Sequence, residues 1–249
     1  MIYTLPSNAF AQDVVVGDFN GDGKQDLAIG CGFVNEVAIL LGNGDGTFGA
    51  AVTYAAGTGP YNLALGDFNG DGKTDLAVVD SGANSVSILL GNGNGTFQAP
   101  RSYAVGSHPS AVAVGDFNGD GKLDLAVTIS AGNAVSILLG DGSGGFVAGE
   151  SYPVGSDPVS VVVADFNRDG KADLAVINED SDTVSILLGN GDGTFQNAVN
   201  HAVDLGPNSL WWAISTWMAR WIWQRPITRR TVFPSFWVMD MGPSRSRRR

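Results

Sequence analysis

Asp18-Phe19-Asn20-Gly21-Asp22-Gly23-Lys24-Gln25-Asp26 is one of four near-identical acidic segments in a chain of 249 residues. The others begin at Asp67, Asp116 and Asp165, a constant interval of 49 residues. Positions 1, 3, 5 and 9 of each segment carry an oxygen-bearing side chain, and position 6 is glycine. Three carboxylates and one amide within nine residues repel one another unless something draws them together. A hard divalent cation with several oxygen ligands, calcium above all, supplies that attraction. The plainer reading is a solvated turn, since Asp, Asn and Gly are turn residues in their own right. Repetition of every ligand position in all four copies favours the cation.

Working outward from the third copy, Ala111–Phe117 leads into the acidic segment and Leu123–Ile129 leads out of it. Val135–Leu139 follows an Ala-Gly-Asn turn, and Phe146–Val154 follows a glycine-rich turn at 140–145. Short Val-, Ile- and Leu-rich runs between Gly, Asn and Asp clusters are strand and hairpin signals. No run keeps helical spacing. Val14-Val15-Val16 and Ile137-Leu138-Leu139 are apolar on both faces, as expected of strands sandwiched between sheets. Four strands repeated at this period predict an all-β fold, a β-propeller of four-stranded blades. Four blades are intact and a fifth is scrambled, which leaves either a closed ring or an open arc. Subtracting one period from Ala51–Tyr54 gives Ile2–Leu5, so the chain is expected to open inside the last strand of a preceding blade.

A second turn, Gly42-Asn43-Gly44-Asp45-Gly46-Thr47-Phe48, recurs at Gly91, Gly140 and Gly189. Its acidic positions are not kept, since Asn94 replaces Asp45, so a tight hairpin is preferred to a second cation site. The phenylalanines that close it (Phe48, Phe97, Phe146 and Phe195) read as packing anchors.

The formal charge of −11 hides a split. Residues 1–204 hold 24 acids against six bases, and half of those acids lie in the four segments. Residues 205–249 hold eight arginines, one acid and all six tryptophans. The acidic part argues against nucleic acid as a partner. No apolar run approaches the ~18 residues of a membrane span. Cys31 is alone and reads as a buried apolar residue rather than a nucleophile. The start lacks the basic and apolar regions of a secretory signal. That points to cytoplasmic residence or to a missing N-terminus, and the repeat register favours the second.

The tail at 211–249 breaks the repeat but keeps its register. Trp211–Thr216 can be encoded TGG TGG GCG ATT TCA AC, and one G restored in front gives Val-Val-Gly-Asp-Phe-Asn. Met218–Trp223 shifts likewise to Asp-Gly-Lys-Val-Asp-Leu, one period after the fourth copy. The tryptophans and arginines are therefore read as an out-of-frame fifth repeat, poorly packed or disordered. Their other reading is a membrane-surface or nucleic-acid anchor.

The segments Asp-Phe-Asn-Gly-Asp-Gly-Lys-x-Asp, followed by Leu-Ala-Val/Ile and later Gly-Thr-Phe-Gln, resemble the FG-GAP/VCBS repeats. These repeats occur in secreted bacterial propeller proteins and, in related form, in the integrin α-subunit head. The resemblance covers residues 1–210. It implies that each loop joins the first two strands of a blade and binds one calcium ion, four in all. The implied ligands are the side chains at positions 1, 3, 5 and 9 and the backbone carbonyl of position 7. The first set is Asp18, Asn20, Asp22, Lys24 and Asp26, and the second is Asp67, Asn69, Asp71, Lys73 and Asp75. The third is Asp116, Asn118, Asp120, Lys122 and Asp124. The fourth is Asp165, Asn167, Asp169, Lys171 and Asp173, with Arg168 in place of the usual Gly. An EF-hand is excluded, because Ile29 stands where that loop needs a bidentate Glu.

These features suggest a non-enzymatic, calcium-binding scaffold of a secreted or cell-surface adhesion protein, with a protein or carbohydrate ligand. One alternative is the propeller part of a secreted polysaccharide lyase or hydrolase; another is a frameshifted remnant without function. His108 and His201 sit at non-equivalent positions of the repeat, and no Gly-x-Ser-x-Gly elbow is present. The Gly140-x-Gly142-x-x-Gly145 match joins two strands, not the strand and helix of a dinucleotide site.

Overall fold

The computed structural model describes residues 3–203; the whole of the out-of-frame tail lies outside them. Sixteen strands form four separate antiparallel sheets, each a simple meander. The first sheet comprises β1 (Ala11–Gly17), β2 (Asp26–Cys31), β3 (Glu36–Leu40) and β4 (Val52–Ala55). The second comprises β5 (Pro60–Gly66), β6 (Asp75–Asp80), β7 (Ser85–Leu89) and β8 (Arg101–Ala104). In the third are β9 (Pro109–Gly115), β10 (Asp124–Ile129), β11 (Ala134–Gly140) and β12 (Phe146–Pro153). The fourth holds β13 (Pro158–Ala164), β14 (Asp173–Asn178), β15 (Thr183–Leu187) and β16 (Val199–Ala202). A single 3-10 turn, Ser130–Gly132, interrupts the strands among the described residues.

The strands expected of the third copy are present with edges moved by at most two residues. Asp116 and Phe117, read as strand, belong to the acidic loop because the Asp116 carboxylate turns the chain by accepting loop N–H groups. First strands lie beside one another, β1 against β5, β5 against β9 and β9 against β13, and the four sheets do not close into a ring.

The core sits between sheets rather than within one. Leu63, Leu76, Val78, Leu89 and Phe97 of the second sheet pack on Phe19, Ala28, Val37 and Ile39 of the first. The next two junctions repeat that arrangement. Every residue of β6, β10 and β14 is buried, as a second strand covered on both faces requires. Each fully covered Val or Leu contributes about 1.5–3 kcal/mol, so a blade draws most of its stability from its neighbour.

The first sheet shows the converse. Val14 is 52% exposed, whereas its equivalents Leu63, Val112 and Val161 are 4%, 7% and 6% exposed. Leu63 lies against Gly30 of the preceding sheet, but no described sheet precedes Val14. The expectation that Val14-Val15-Val16 is covered on both faces therefore fails at this end. Residues 3–10 form no strand among those described, contrary to the strand expected there. Tyr3, not the register equivalent Leu5, meets Phe48 edge-on at 5.6 Å, as Tyr54, Tyr103 and Tyr152 meet the phenylalanines of the next sheets. Its hydroxyl accepts the Phe48 N–H at 2.8 Å.

Candidate metal centres

The four acidic segments join the first and second strands of each sheet, all at the same end of the blades. Each is shaped by its own side chains. Asp18 accepts the N–H of Gly21 at 2.7 Å and of Gly23 at 2.8 Å through separate oxygens. The Asn20 amide oxygen accepts the Asp22 N–H at 3.0 Å, and Asp22 accepts the Lys24 N–H at 2.9 Å. Four successive N–H groups thus point at the side chains of positions 1, 3 and 5. The other loops repeat this ladder with small changes around Asp67, Asp116 and Asp165. The Lys24 and Lys122 N–H groups foremost hold Asp22 and Asp120 below the usual carboxylate range, and the Gly170 N–H does so for Asp165.

The tight path needs positive φ at positions 4 and 6. Position 6 is Gly in every loop, and a Cβ there would meet nothing within 4 Å, so conformation alone demands it. At position 4 the first three loops have glycine, whereas Arg168 adopts φ 65°.

Position 9 does something the sequence did not reveal. Asp26, Asp75, Asp124 and Asp173 are 0% exposed, each at the start of a second strand. One Asp26 oxygen accepts the Phe19 N–H at 2.9 Å and the other the Gly42 N–H at 2.7 Å. The same pair recurs at Asp75 (Phe68, Gly91), Asp124 (Phe117, Gly140) and Asp173 (Phe166, Gly189). The carboxylate therefore latches the acidic loop to the second turn of its own blade. Burial pushes the carboxyls of Asp75 and Asp124 up, against the opposing pull of those N–H groups.

Position 7 reinforces the latch. The Lys24 stem lies so close to Gly44 (φ 81°) that a Cβ there would sit 3.0 Å from it, and Lys73, Lys122 and Lys171 repeat the contact. The ammonium groups of Lys24, Lys73 and Lys122 pair with Asp22, Asp71 and Asp120 at 3.2, 3.1 and 3.5 Å. In the second turn Asp45 and Asn94 do the same work, each accepting the N–H and hydroxyl of the threonine two residues on. An amide serves there as well as a carboxylate, which suits a hairpin turn.

Neighbouring blades are stitched at this same end. The N–H of Gly95, Gly144 and Gly193 in one blade's second turn donates to the carbonyl of Phe19, Phe68 and Phe117 in the blade before, at 2.8–2.9 Å. The paired rings Phe19–Phe97, Phe68–Phe146 and Phe117–Phe195 meet edge-on at 5.4–5.6 Å. Phe48, Phe97, Phe146 and Phe195 are thus the anchors the sequence suggested. Thr74 Oγ1 donates to the Asp18 carbonyl, and an open cleft of about 310 Å³ runs beside Gly17, Leu65, Asp67 and Lys73.

Positions 1, 3 and 5 offer a hard, anionic oxygen set with lone pairs left over, which suits calcium rather than a softer metal. Position 9 differs by place: its carboxylate is fully buried at the start of the second strand, beneath the loop, with one backbone N–H on each oxygen. With Asn at position 3 and Asp26 turned into the blade, two carboxylates remain for each loop interior. Accordingly, no group of three or more His, Cys, Asp or Glu side chains is gathered as a metal cluster among the described residues. Cys31 is 0% exposed and burial pushes its thiol up, in keeping with a core residue.

The FG-GAP-like repeat family matches residues 18–78, 67–127 and 123–176, and the FG-GAP repeat matches 158–199. The chain belongs to the FG-GAP repeat family. No curated protein matches its sequence. Among solved structures, a periplasmic gluconolactonase of Pseudomonas aeruginosa superposes with a TM-score of 0.61 at 18% identity, over 79% of this chain and 54% of that one. A putative 6-phosphogluconolactonase of Bacteroides fragilis gives 0.60 at 17%, over 79% and 56%. A lectin of Agrocybe aegerita, whose structure concerns recognition of non-reducing terminal N-acetylglucosamine, gives 0.52 at 24%, over 77% and 52%. This chain spans little more than half the length of these structures, and at such identities the likeness is one of fold. No helix among the described residues is long and apolar enough to cross a membrane.

Proposed function

We propose that the chain is a calcium-stabilised, non-enzymatic FG-GAP propeller module that displays binding loops for a protein or carbohydrate ligand, in a parent protein working outside the cell or at its surface. The observation that carries this reading is the fourfold repetition of one hydrogen-bonded acidic loop at one end of the blades. Asp18, Asn20 and Asp22, with their equivalents, are the side chains that hold the ion, together with the carbonyls of Lys24, Lys73, Lys122 and Lys171. Asp26, Asp75, Asp124 and Asp173 complete the set and also shape the loop from beneath. Bound calcium supplies the positive charge that the two inward carboxylates lack, and so stabilises the turn between the first two strands.

Calcium titration followed by thermal melting tests the reading. The melting temperature rises with calcium and falls on chelation; an unchanged melt with and without chelator overturns it. The structural neighbours include lactonases, lyases and a lectin, so fold likeness does not decide between binding and catalysis. His108 lies in the β8–β9 link, at the end of the blades away from the acidic loops. Turnover on acidic and neutral polysaccharides would establish the enzymatic alternative instead.

A further inference from the structure

At the end of the blades opposite the acidic loops, the second strands finish in four different residues, Cys31, Asp80, Ile129 and Asn178, all buried. Two of these pockets are built alike. In the fourth sheet Asn178 faces Thr183 and Ser185 of β15 under Gly155 of the incoming link. In the second sheet Asp80 faces Ser85 and Ser87 of β7 under Gly57 of its link, and a Cβ on Gly57 would run into the carboxylate. Asn178 Nδ2 donates to Thr183 Oγ1 at 3.0 Å and to Ser185 Oγ at 2.8 Å. Asp80 Oδ2 accepts the Ser87 hydroxyl at 2.6 Å, but Asp80 Oδ1 and Ser85 Oγ, both buried, have no hydrogen-bond partner. The Ser85 hydroxyl can donate to Asp80 Oδ1 or accept from it, and a protonated Asp80 sets an O–H where the fourth sheet sets an amide N–H; Asn178 Oδ1 for its part is buried without a partner.

Among the described residues no charged group acts on Asp80. Ser85 and Ser87 face it from β7, Gly57 from the link, and Pro60 pairs with it from β5. Burial foremost pushes its carboxyl up to about 6, opposed first by the hydrogen bond from the Ser87 hydroxyl. We infer that Asp80 is a proton-operated switch: the fold holds it as the neutral acid, its Oδ1–H donating to Ser85 Oγ as Asn178 donates to Thr183, and its ionisation loosens the second sheet beneath the incoming link. The sign follows from linkage. The folded carboxyl keeps its proton to higher pH than the unfolded one, so this contribution is full below the unfolded value of 3.8 and is lost as pH rises through about 6.

Unfolding of the intact chain, Asp80→Asn and Asn178→Asp across about pH 4 to 8, at constant calcium and again in chelator, tests the switch. The loop carboxylates titrate alike in all three, so differences isolate the pocket. Between about pH 4 and 7 the unfolding constant of the unaltered chain should rise about a hundredfold relative to Asp80→Asn. Asn178→Asp should add a second loss of the same sign. A gap that stays flat with pH, or that moves in favour of the unaltered chain as pH rises, overturns the proposal. Should the variants fail to fold, carboxyl carbon NMR of the unaltered chain decides: one buried aspartate titrating near about pH 6 supports it, and all titrating below about pH 5 overturns it. The outcome is independent of calcium binding, because the chelated samples answer the question alone.

Discussion

The two ends of these blades are built on different terms. At the acidic-loop end every sheet repeats the same bonds: the side-chain ladder, the position 9 latch and, at each described junction, the Gly-to-Phe carbonyl stitch. At the opposite end the chain reaches Cys31, Asp80, Ile129 or Asn178 at one equivalent position. Backbone N–H groups recur in every copy and must each find an acceptor, so the loop end has one solution. The other end needs only a side chain that fills the space under a link, and several fit. What repeats there gathers at the corner residue: Asn35, Asn84 and Asn133, all at positive φ, accept the N–H of Gly59, His108 and Asp157 in the following link through their side chains, and the N–H of Ala56, Val105 and Val154 through their carbonyls.

Substitutions can break or sharpen this contrast. The largest effect is expected from Phe117→Ala, which empties the ring contact with Phe195 across the third junction and should cost about 4 kcal/mol in denaturant unfolding. Next comes Asp124→Ala. It leaves the Phe117 and Gly140 N–H groups without acceptors in a fully buried place, at a cost of about 3 kcal/mol. That loss should persist in chelator; a loss confined to calcium-loaded protein would show that position 9 acts as a ligand and not as a latch. Chelation of the unaltered chain ranks third, at about 2.7 kcal/mol for a site held at 100 times its dissociation constant. The smallest change is a gain. Arg168→Gly relieves a side chain at φ 65° and should raise stability by about 0.5–1 kcal/mol, bringing the fourth loop into line with the others.

Much of this could be read in one dimension. The four described sheets, their strand order and the place of the acidic loops follow from period and pattern, because each hairpin is local and its turn residues stand next to it. The phenylalanine anchors were visible for the same reason. The latch at position 9 was not visible: Asp26 is adjacent to the loop, but one of its two partners, Gly42, lies 16 residues on, across the blade. Val14 was misjudged, since nothing in a run of three valines tells whether a sheet lies before it.

The sequence alone determined the repeat, the all-β architecture and the placing of oxygen-bearing side chains in each loop, all of which rest on spacings of one blade or less. Only the tertiary structure decided which oxygens remain free, which end faces are covered and which buried acid has no cation beside it. Those outcomes depend on which atoms come within bonding distance after four sheets have packed, and residues one period or more apart meet only then.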